Sequence, residues 1–369
     1  MKTGLKFSLL GFAALCLYLL LWPIPLAPQA WDAPQNRGFT GGFAPNSELA
    51  DLNYLSIGAR HGPEDVAARV GDNGLRLYVS SQDGDIVEID PVQNTHRLFA
   101  QTGGVPLGLE FDSRGNLLVA DAHKGLLSIN PAGEVELLAD HVNGTPILYA
   151  DDVDVAPDGV IYFTDASTKF GAQASGTTLK GSVMEIFEHG RTGRILSYDP
   201  IMQESDVVAT GLSFPNGIAV EPDGGSLLYV ETGTYSLMRL FLKGARRGAT
   251  ERVYENFPGF PDNINPAPAR ADGTPSYFVG LVSPRNAMAD KLSDTPFLRK
   301  IIWRLPAFVR PQALHYSHLV HIDGHGNIIA SWQDPTGGYP LVTGGIAVDG
   351  RLYLSSLEAS KLGYRRLPE

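Results

Sequence analysis

Four oxygen-bearing side chains recur at one register of this chain: Glu64, Asp151, Asn216 and Asp262. Each stands two residues before the first apolar position of a repeated motif, and three of them are carboxylates. Carboxylates that converge on one point repel one another unless a cation sits between them. Oxygen donors with no Cys or His among them suit a hard cation: calcium, or else magnesium or manganese. Such an ion would polarise a carbonyl and acidify a bound water, which is hydrolytic chemistry. The plainer reading is a set of turn residues leading into strands, because Asn, Asp and Gly favour turns. Leu107 and Gly344 fill the same register in the other two copies and count against it, since they show that the turn needs no polar residue there.

The elements that must position these residues are legible as repeats. PEDVAARVGDNG, PLGLEFDSRG, ADDVDVAPDG, FPNGIAVEPDG, PDNINPAPARADG and TGGIAVDG are variants of one unit, with first apolar residues Val66, Leu109, Val153, Ile218, Ile264 and Ile346. Each unit is an alternating run, a Gly-containing turn and a second strand-like run, hence a β-hairpin. Successive reference residues lie 43, 44, 65, 46 and 82 apart. Three of these intervals approach the ~40–45-residue period of a four-stranded propeller blade, and the other two are that period plus insertions. The expectation is an all-β, six-bladed β-propeller in which the six register positions ring one mouth of the channel. LNYLSIG, before the first copy, reads as a strand that completes the last blade, whose own copy runs out of chain after about three strands.

Composition removes several functions. A net charge of −11 argues against a nucleic-acid partner, which would need a basic face. Cys16 is the only cysteine, so thiol catalysis, zinc–thiolate chemistry and disulfides are excluded from the globular part. No G-x-S-x-G or H-E-x-x-H is present. His318, His321 and His325 flank a hairpin-like IDGHGN and read as strand or surface histidines, while His61 and His123 are candidates to reach the mouth.

Lys2 and Lys6 precede an uncharged apolar run, Phe7 to Trp22, with no good small-x-small cleavage site after it. Residues 1–23 are therefore expected to form an uncleaved N-terminal membrane anchor helix, 24–47 a linker, and 48–369 the propeller. The charge bias predicts a single-pass protein of the cytoplasmic membrane, N-terminus inside and propeller outside. Of the two insertions, STKFGAQASGTT reads as a surface loop. DKLSDTPFLRKIIWRLPAF has apolar residues near helical spacing and reads as a rim helix, a lid or a membrane contact.

GVPLGLEF, LLVADAHKGLLSINP, YADDVDVAPDGVIYFTDASTKF, LSFPNGIAVEPDG and FPGFPDNI, in that order, closely resemble the strictosidine synthase-like family over about residues 60–367. Its superfamily includes paraoxonases, the gluconolactonase/SMP-30 group and diisopropylfluorophosphatase, all six-bladed propellers with a catalytic calcium. The resemblance implies a metal set of Glu64, Asp151, Asn216 and Asp262, with Asn263 as an added ligand and Asp262 as general base or nucleophile. The function it implies is calcium-dependent hydrolysis of a small-molecule lactone or aryl ester. Three departures stand out. Asp151-Asp152 replaces the usual Asn-Asp; Leu107 stands where paraoxonases have a histidine; and Thr343, Gly344 and Gly345 stand where strictosidine synthase has its essential glutamate. The last disfavours a condensing lyase, and the first two leave a non-catalytic binding or scaffold propeller as the alternative.

Overall fold

The computed structural model describes residues 2–71 and 74–367. Six four-stranded antiparallel sheets follow one another along the chain, and their innermost strands are Pro63–Gly71, Pro106–Phe111, Ala150–Val155, Pro215–Val220, Gly259–Ala267 and Val342–Val348. The sixth sheet takes its outer strand from the N-terminal side: Asn53–Ser56 pairs with Lys361–Arg366, Tyr54 lying opposite Gly363. That strand closes the ring with hydrogen bonds between the two ends of the chain. Apolar faces of neighbouring sheets pack against each other, as where Ala219, Leu228 and Val230 of blade four meet Ile264, Val279 and Val320 of blade five.

Every inner strand carries the same irregularity at its start. Pro63 lies opposite Ser81 but Val66 lies opposite Val79, so three steps on one strand face two on the other. The shift recurs at Pro106/Leu109, Ala150/Val153, Pro215/Ile218, Pro261/Ile264 and Val342/Gly345. Each is a β-bulge, which re-aims a pair of side chains. The pairs are Glu64-Asp65, Leu107-Gly108, Asp151-Asp152, Asn216-Gly217, Asp262-Asn263 and Thr343-Gly344. In the last blade the mouth position is thus Thr343 and not Gly344. Ile346 is one residue late as a reference, because Gly345 takes the place that an apolar residue holds in the other five copies.

The second member of each pair alternates between a polar residue and glycine around the ring: Asp65, Gly108, Asp152, Gly217, Asn263, Gly344. The glycines are required by close approach. A Cβ on Gly108 would lie 2.3 Å from Asp152 Oδ1, and one on Gly217 would lie 2.3 Å from the Ile264 backbone nitrogen. Inner-strand N–H groups facing the channel have no strand beyond them, and the acids supply the acceptors. Leu109 N–H donates to Asp65 Oδ2 and Ile218 N–H to Asp152 Oδ2, each at 2.8 Å.

Outside the blades the described residues form five α-helices: α1 (Lys2–Leu21), α2 (Ala172–Ser175), α3 (Thr178–Glu188), α4 (Ala287–Lys291) and α5 (Pro296–Arg304). The segment read as a surface loop runs into α2 and α3. Thr177 caps α3, accepting from Lys180 N–H, and Met184, Glu185 and Glu188 are buried.

Two expectations about the N-terminal region are corrected. Among the described residues no helix is long and apolar enough to cross a membrane, which overturns the single-pass anchor and the localisation built on it. The reason is length. The uncharged part of α1, residues 7–21, is about 22 Å long, against a hydrocarbon core of about 30 Å. The side chains of Lys2 and Lys6, on which the orientation rested, lie outside the described residues. The far end of α1 is instead tied to the propeller. Arg304 donates to the carbonyls of Trp22 (2.6 Å) and Leu19 (3.0 Å), and the Tyr18 hydroxyl donates to the Arg304 carbonyl (3.0 Å).

Nor do residues 24–47 hang free as a linker. Leu26 and Phe43 are buried, Gln29 N–H donates to the Glu188 carbonyl (2.8 Å), and Trp31 N–H donates to the Ser293 carbonyl (3.1 Å). The segment is a strap laid across α3 and the fifth-blade insertion.

Candidate active site

The bulges deliver Glu64, Asp151, Asn216 and Asp262 to the floor of one cavity of about 460 Å³, with Leu107 beside them. Asn263 does not line it. It lies beneath the floor, fully buried, where its amide donates to the carbonyl and to Oε1 of Glu64, both at 3.1 Å. Asn216 Nδ2 donates to Asp262 Oδ1, joining blades four and five. Thr343 Oγ1 donates to the Glu64 carbonyl at 2.6 Å, holding the first bulge from the other side.

Four oxygens of this set are buried without any hydrogen-bond partner: Glu64 Oε2, Asp151 Oδ2, Asn216 Oδ1 and Asn263 Oδ1. Buried acceptors are normally satisfied, so a floor with several bare oxygens lacks something positive. Burial, then the charge of Asp262, pushes both Glu64 and Asp151 well above the usual carboxylate range. Burial pushes Asp262 up to about 7, although the Asn216 amide pulls it back. Among the described residues no group of three or more His, Cys, Asp or Glu is arranged so that it could hold a metal ion. Two of the five candidate donors are amides, so carboxylates alone do not make the set. The bare atoms are all hard oxygen acceptors, and in their chemistry they fit a cation of the calcium, magnesium or manganese type.

A pH dependence follows. Asp65, pushed up to about 6 by burial, and Asp262, at about 7, bind a proton more tightly in the fold than in the unfolded chain, where the value is near ~3.9. Their stabilising contribution is therefore complete below about pH 4 and is lost as the pH rises through about 6–7. Chelated protein is expected to melt at a higher temperature at pH 5 than at pH 8, with calcium narrowing the gap. Differential scanning calorimetry checks this; an equal or higher melting temperature at pH 8 without metal contradicts it.

The walls and much of the roof are apolar and come from outside the repeats. Trp31 of the strap, Val183, Ile186 and Phe187 of α3, and Ile302 and Trp303 of α5 close over Tyr149, Phe214 and Phe260. Trp31 stacks on His189 with ring centroids 4.2 Å apart. The fifth-blade insertion thus covers the cavity, as a lid would. Among the described residues no histidine lines it. His61 instead meets Asp83 at 2.9 Å, and His318, fully buried against Ser331 Oγ, is held down at about 3 by desolvation.

Sequence and structural comparisons are consistent with this architecture. The strictosidine synthase family model matches residues 151–245, and the strictosidine synthase-like N-terminal model matches residues 41–89. Adipocyte plasma membrane-associated protein of Danio rerio is 31% identical over 386 aligned residues, covering 96% of this chain and 88% of that protein. The chain belongs to the strictosidine synthase-like family. Solved structures of the same fold include a gluconolactonase from Xanthomonas campestris, with a TM-score of 0.60 at 15% identity, covering 94% of this chain and 99% of that one. Another is a calcium-binding protein, regucalcin, from Agrobacterium tumefaciens, with a TM-score of 0.56 at 15% identity, covering 85% and 93%.

The matched segments of this strictosidine synthase-like chain contain Glu64, Asp151 and Asn216. Tyr149, two residues before the 151–245 match begins, is a site residue that reading by register misses. Its ring lines the cavity, and its phenol is held protonated by burial and by the charges of Asp151, Asp262 and Glu64. Its signal in the sequence was proximity alone, two residues before Asp151. Trp31 and α3 carried no such signal.

Proposed function

We propose that the protein is a metal-dependent hydrolase of lactones or aryl esters, with its reacting groups on the floor of the covered cavity. One observation carries this reading: four bare, buried oxygens stand beneath an apolar chamber of small-molecule size. A calcium, magnesium or manganese ion held by Glu64, Asp151, Asn216 and Asp262 would supply Lewis acidity toward the acyl oxygen and toward a bound water. The Asn216 amide fixes the orientation of the Asp262 carboxylate. Asp262 removes a proton from the attacking water or itself attacks the acyl carbon. The Tyr149 phenol, kept neutral, is a donor for the oxygen on which charge develops. The apolar walls hold the acyl or aryl part and exclude bulk water. Where a condensing enzyme of this family would need an acid, Thr343 has a hydroxyl already directed to the Glu64 carbonyl.

The expected result is hydrolysis of phenyl acetate and of simple lactones that disappears on chelation and returns with calcium. Activity that survives complete metal removal would sink the proposal. A second reading, a non-catalytic binding propeller, is favoured by the buried Leu107 at the mouth and by the absence of histidine among the cavity residues. Calcium-dependent thermal stabilisation without turnover of any ester, lactone or phosphotriester would select it.

A further inference from the structure

The roof of the cavity carries positive charge with which, among the described residues, no carboxylate forms an ion pair. Arg299 of α5 and Arg310 just beyond it both line the chamber, with Lys180 of α3 at its edge. Arg299 is almost fully buried and points its terminal nitrogens at backbone carbonyls: Phe187 (2.7 Å), Ser293 (3.1 Å) and Gln29. These bonds tie α3, the strap and the fifth-blade insertion together, and they account for one side of the guanidinium. The Arg299 Nε–H is buried without a partner. Glu188 acts on Arg299 through its charge, but that carboxylate is taken up by Lys169 Nζ at 2.6 Å. Arg310 gives its Nε–H to the Leu305 carbonyl at 2.8 Å and lies over the Trp303 ring, 4.6 Å from its centroid. A carbonyl and a ring face leave its charge unneutralised as well.

Tying the roof together explains the carbonyl contacts of Arg299. It does not explain the bare Nε–H, nor a second guanidinium facing the same chamber. Between this cationic roof and the oxygen-lined floor lie apolar walls, so the chamber has two polar ends of opposite character. A ligand that fits both needs an electrophilic or neutral acyl end below, an apolar body, and an acceptor of N–H bonds above.

We propose that the cavity binds apolar organic anions, with the oxyanion of the ligand taken by the Arg299 Nε–H and the Arg310 guanidinium at the roof. The oxyanion is a carboxylate, sulfonate or phosphate oxygen, each of which suits a charge-assisted guanidinium contact. One consequence rests on the hydrolase reading: its substrates are esters or lactones whose apolar body ends in an anionic group remote from the reacting carbonyl.

The test is fluorescence titration of the full chain with two probes sharing the same ring systems. 8-Anilinonaphthalene-1-sulfonate carries an anion and N-phenyl-1-naphthylamine does not. The unmodified protein is expected to bind the sulfonate at least ~10-fold more tightly, and Arg310→Gln to reduce that preference to ~3-fold or less while leaving the neutral probe within ~2-fold. Arg299→Lys keeps a positive charge but loses the Nε–H, and is expected to erode the same preference. Ile186→Trp fills the chamber and should weaken both probes together.

Equal affinity for the two probes in the unmodified protein would overturn the proposal. So would a sulfonate affinity untouched by Ile186→Trp, which would put the anion on the outer surface. No turnover is needed for these measurements, so the two readings fail separately. An anion preference without esterase activity leaves the roof site standing and removes only the substrate statement. Esterase activity without the preference keeps the hydrolase and discards the roof site.

Discussion

Asp262→Asn is expected to lower phenyl acetate and lactone turnover by ~10³-fold or more, even where calcium still binds. General-base catalysis is worth ~10²–10⁴-fold, and Asp262 also donates charge to the proposed cation, so the loss lies toward the upper end. The amide is nearly isosteric with the carboxylate. Its carbonyl can still accept the Asn216 N–H that Asp262 Oδ1 accepts now, so the tie between blades four and five survives. What disappears is an oxygen able to take a proton or attack carbon. Rates measured at saturating calcium, with affinity from calorimetric titration, separate chemistry from metal binding. A variant that keeps its rate at saturation removes Asp262 from the chemistry, and one that merely melts earlier would place it in the structure only.

Asp151→Asn should act in the opposite sense on rate. Asp151 is buried, its Oδ2 has no partner, and burial followed by the charge of Asp262 raises its pKa. Three carboxylates around a divalent ion leave a local −1, and replacing one with an amide makes the set neutral. Fewer ligand charges weaken calcium binding, and less donated density leaves the bound carbonyl more polarised. The variant is expected to bind calcium ~10-fold or more weakly and to turn over good ester substrates at least as fast at saturating metal. Without divalent ions it should melt above the parent, because an unpaired buried acid has been removed. Calcium affinity equal to the parent's would show that Asp151 does not touch the ion.

The propeller was legible because its cause is local. Alternation of period two followed by a Gly-containing turn makes a hairpin wherever it occurs, and six such units at blade spacing leave little choice of architecture. The closing strand was legible for a related reason, since a sixth unit one strand short requires a partner from elsewhere. The mouth position was legible in five blades, where an apolar residue marks the end of the bulge. In the sixth, Gly345 stands at that place, and only pairing with Leu354 reveals that the mouth residue is Thr343.

Tertiary structure decided the rest. The strap at 24–47 looks like a linker because Pro, Gly and Ala carry no periodicity, and it docks largely through backbone groups bonded to Glu188, Arg285 and Arg299. Backbone groups are the same in every sequence, so such docking leaves no pattern to read. The helix at Thr178–Glu188 hides behind a run of Gly, Ser and Thr whose propensities argue for a loop, and burial of Met184, Glu185 and Glu188 outweighs them. The apolar N-terminal run is visible in the sequence, but its polarity alone does not distinguish a membrane span from a helix whose end is held by Arg304; the shortness of its uncharged part does. Residue types and spacing determined which oxygens could gather at the channel mouth. Only the fold could show that Tyr149 stands among them, that Asn263 lies beneath them, and that three segments distant in the chain close an apolar, positively charged roof above them. Those relations are distances between chain segments far apart in sequence, and no local pattern encodes them.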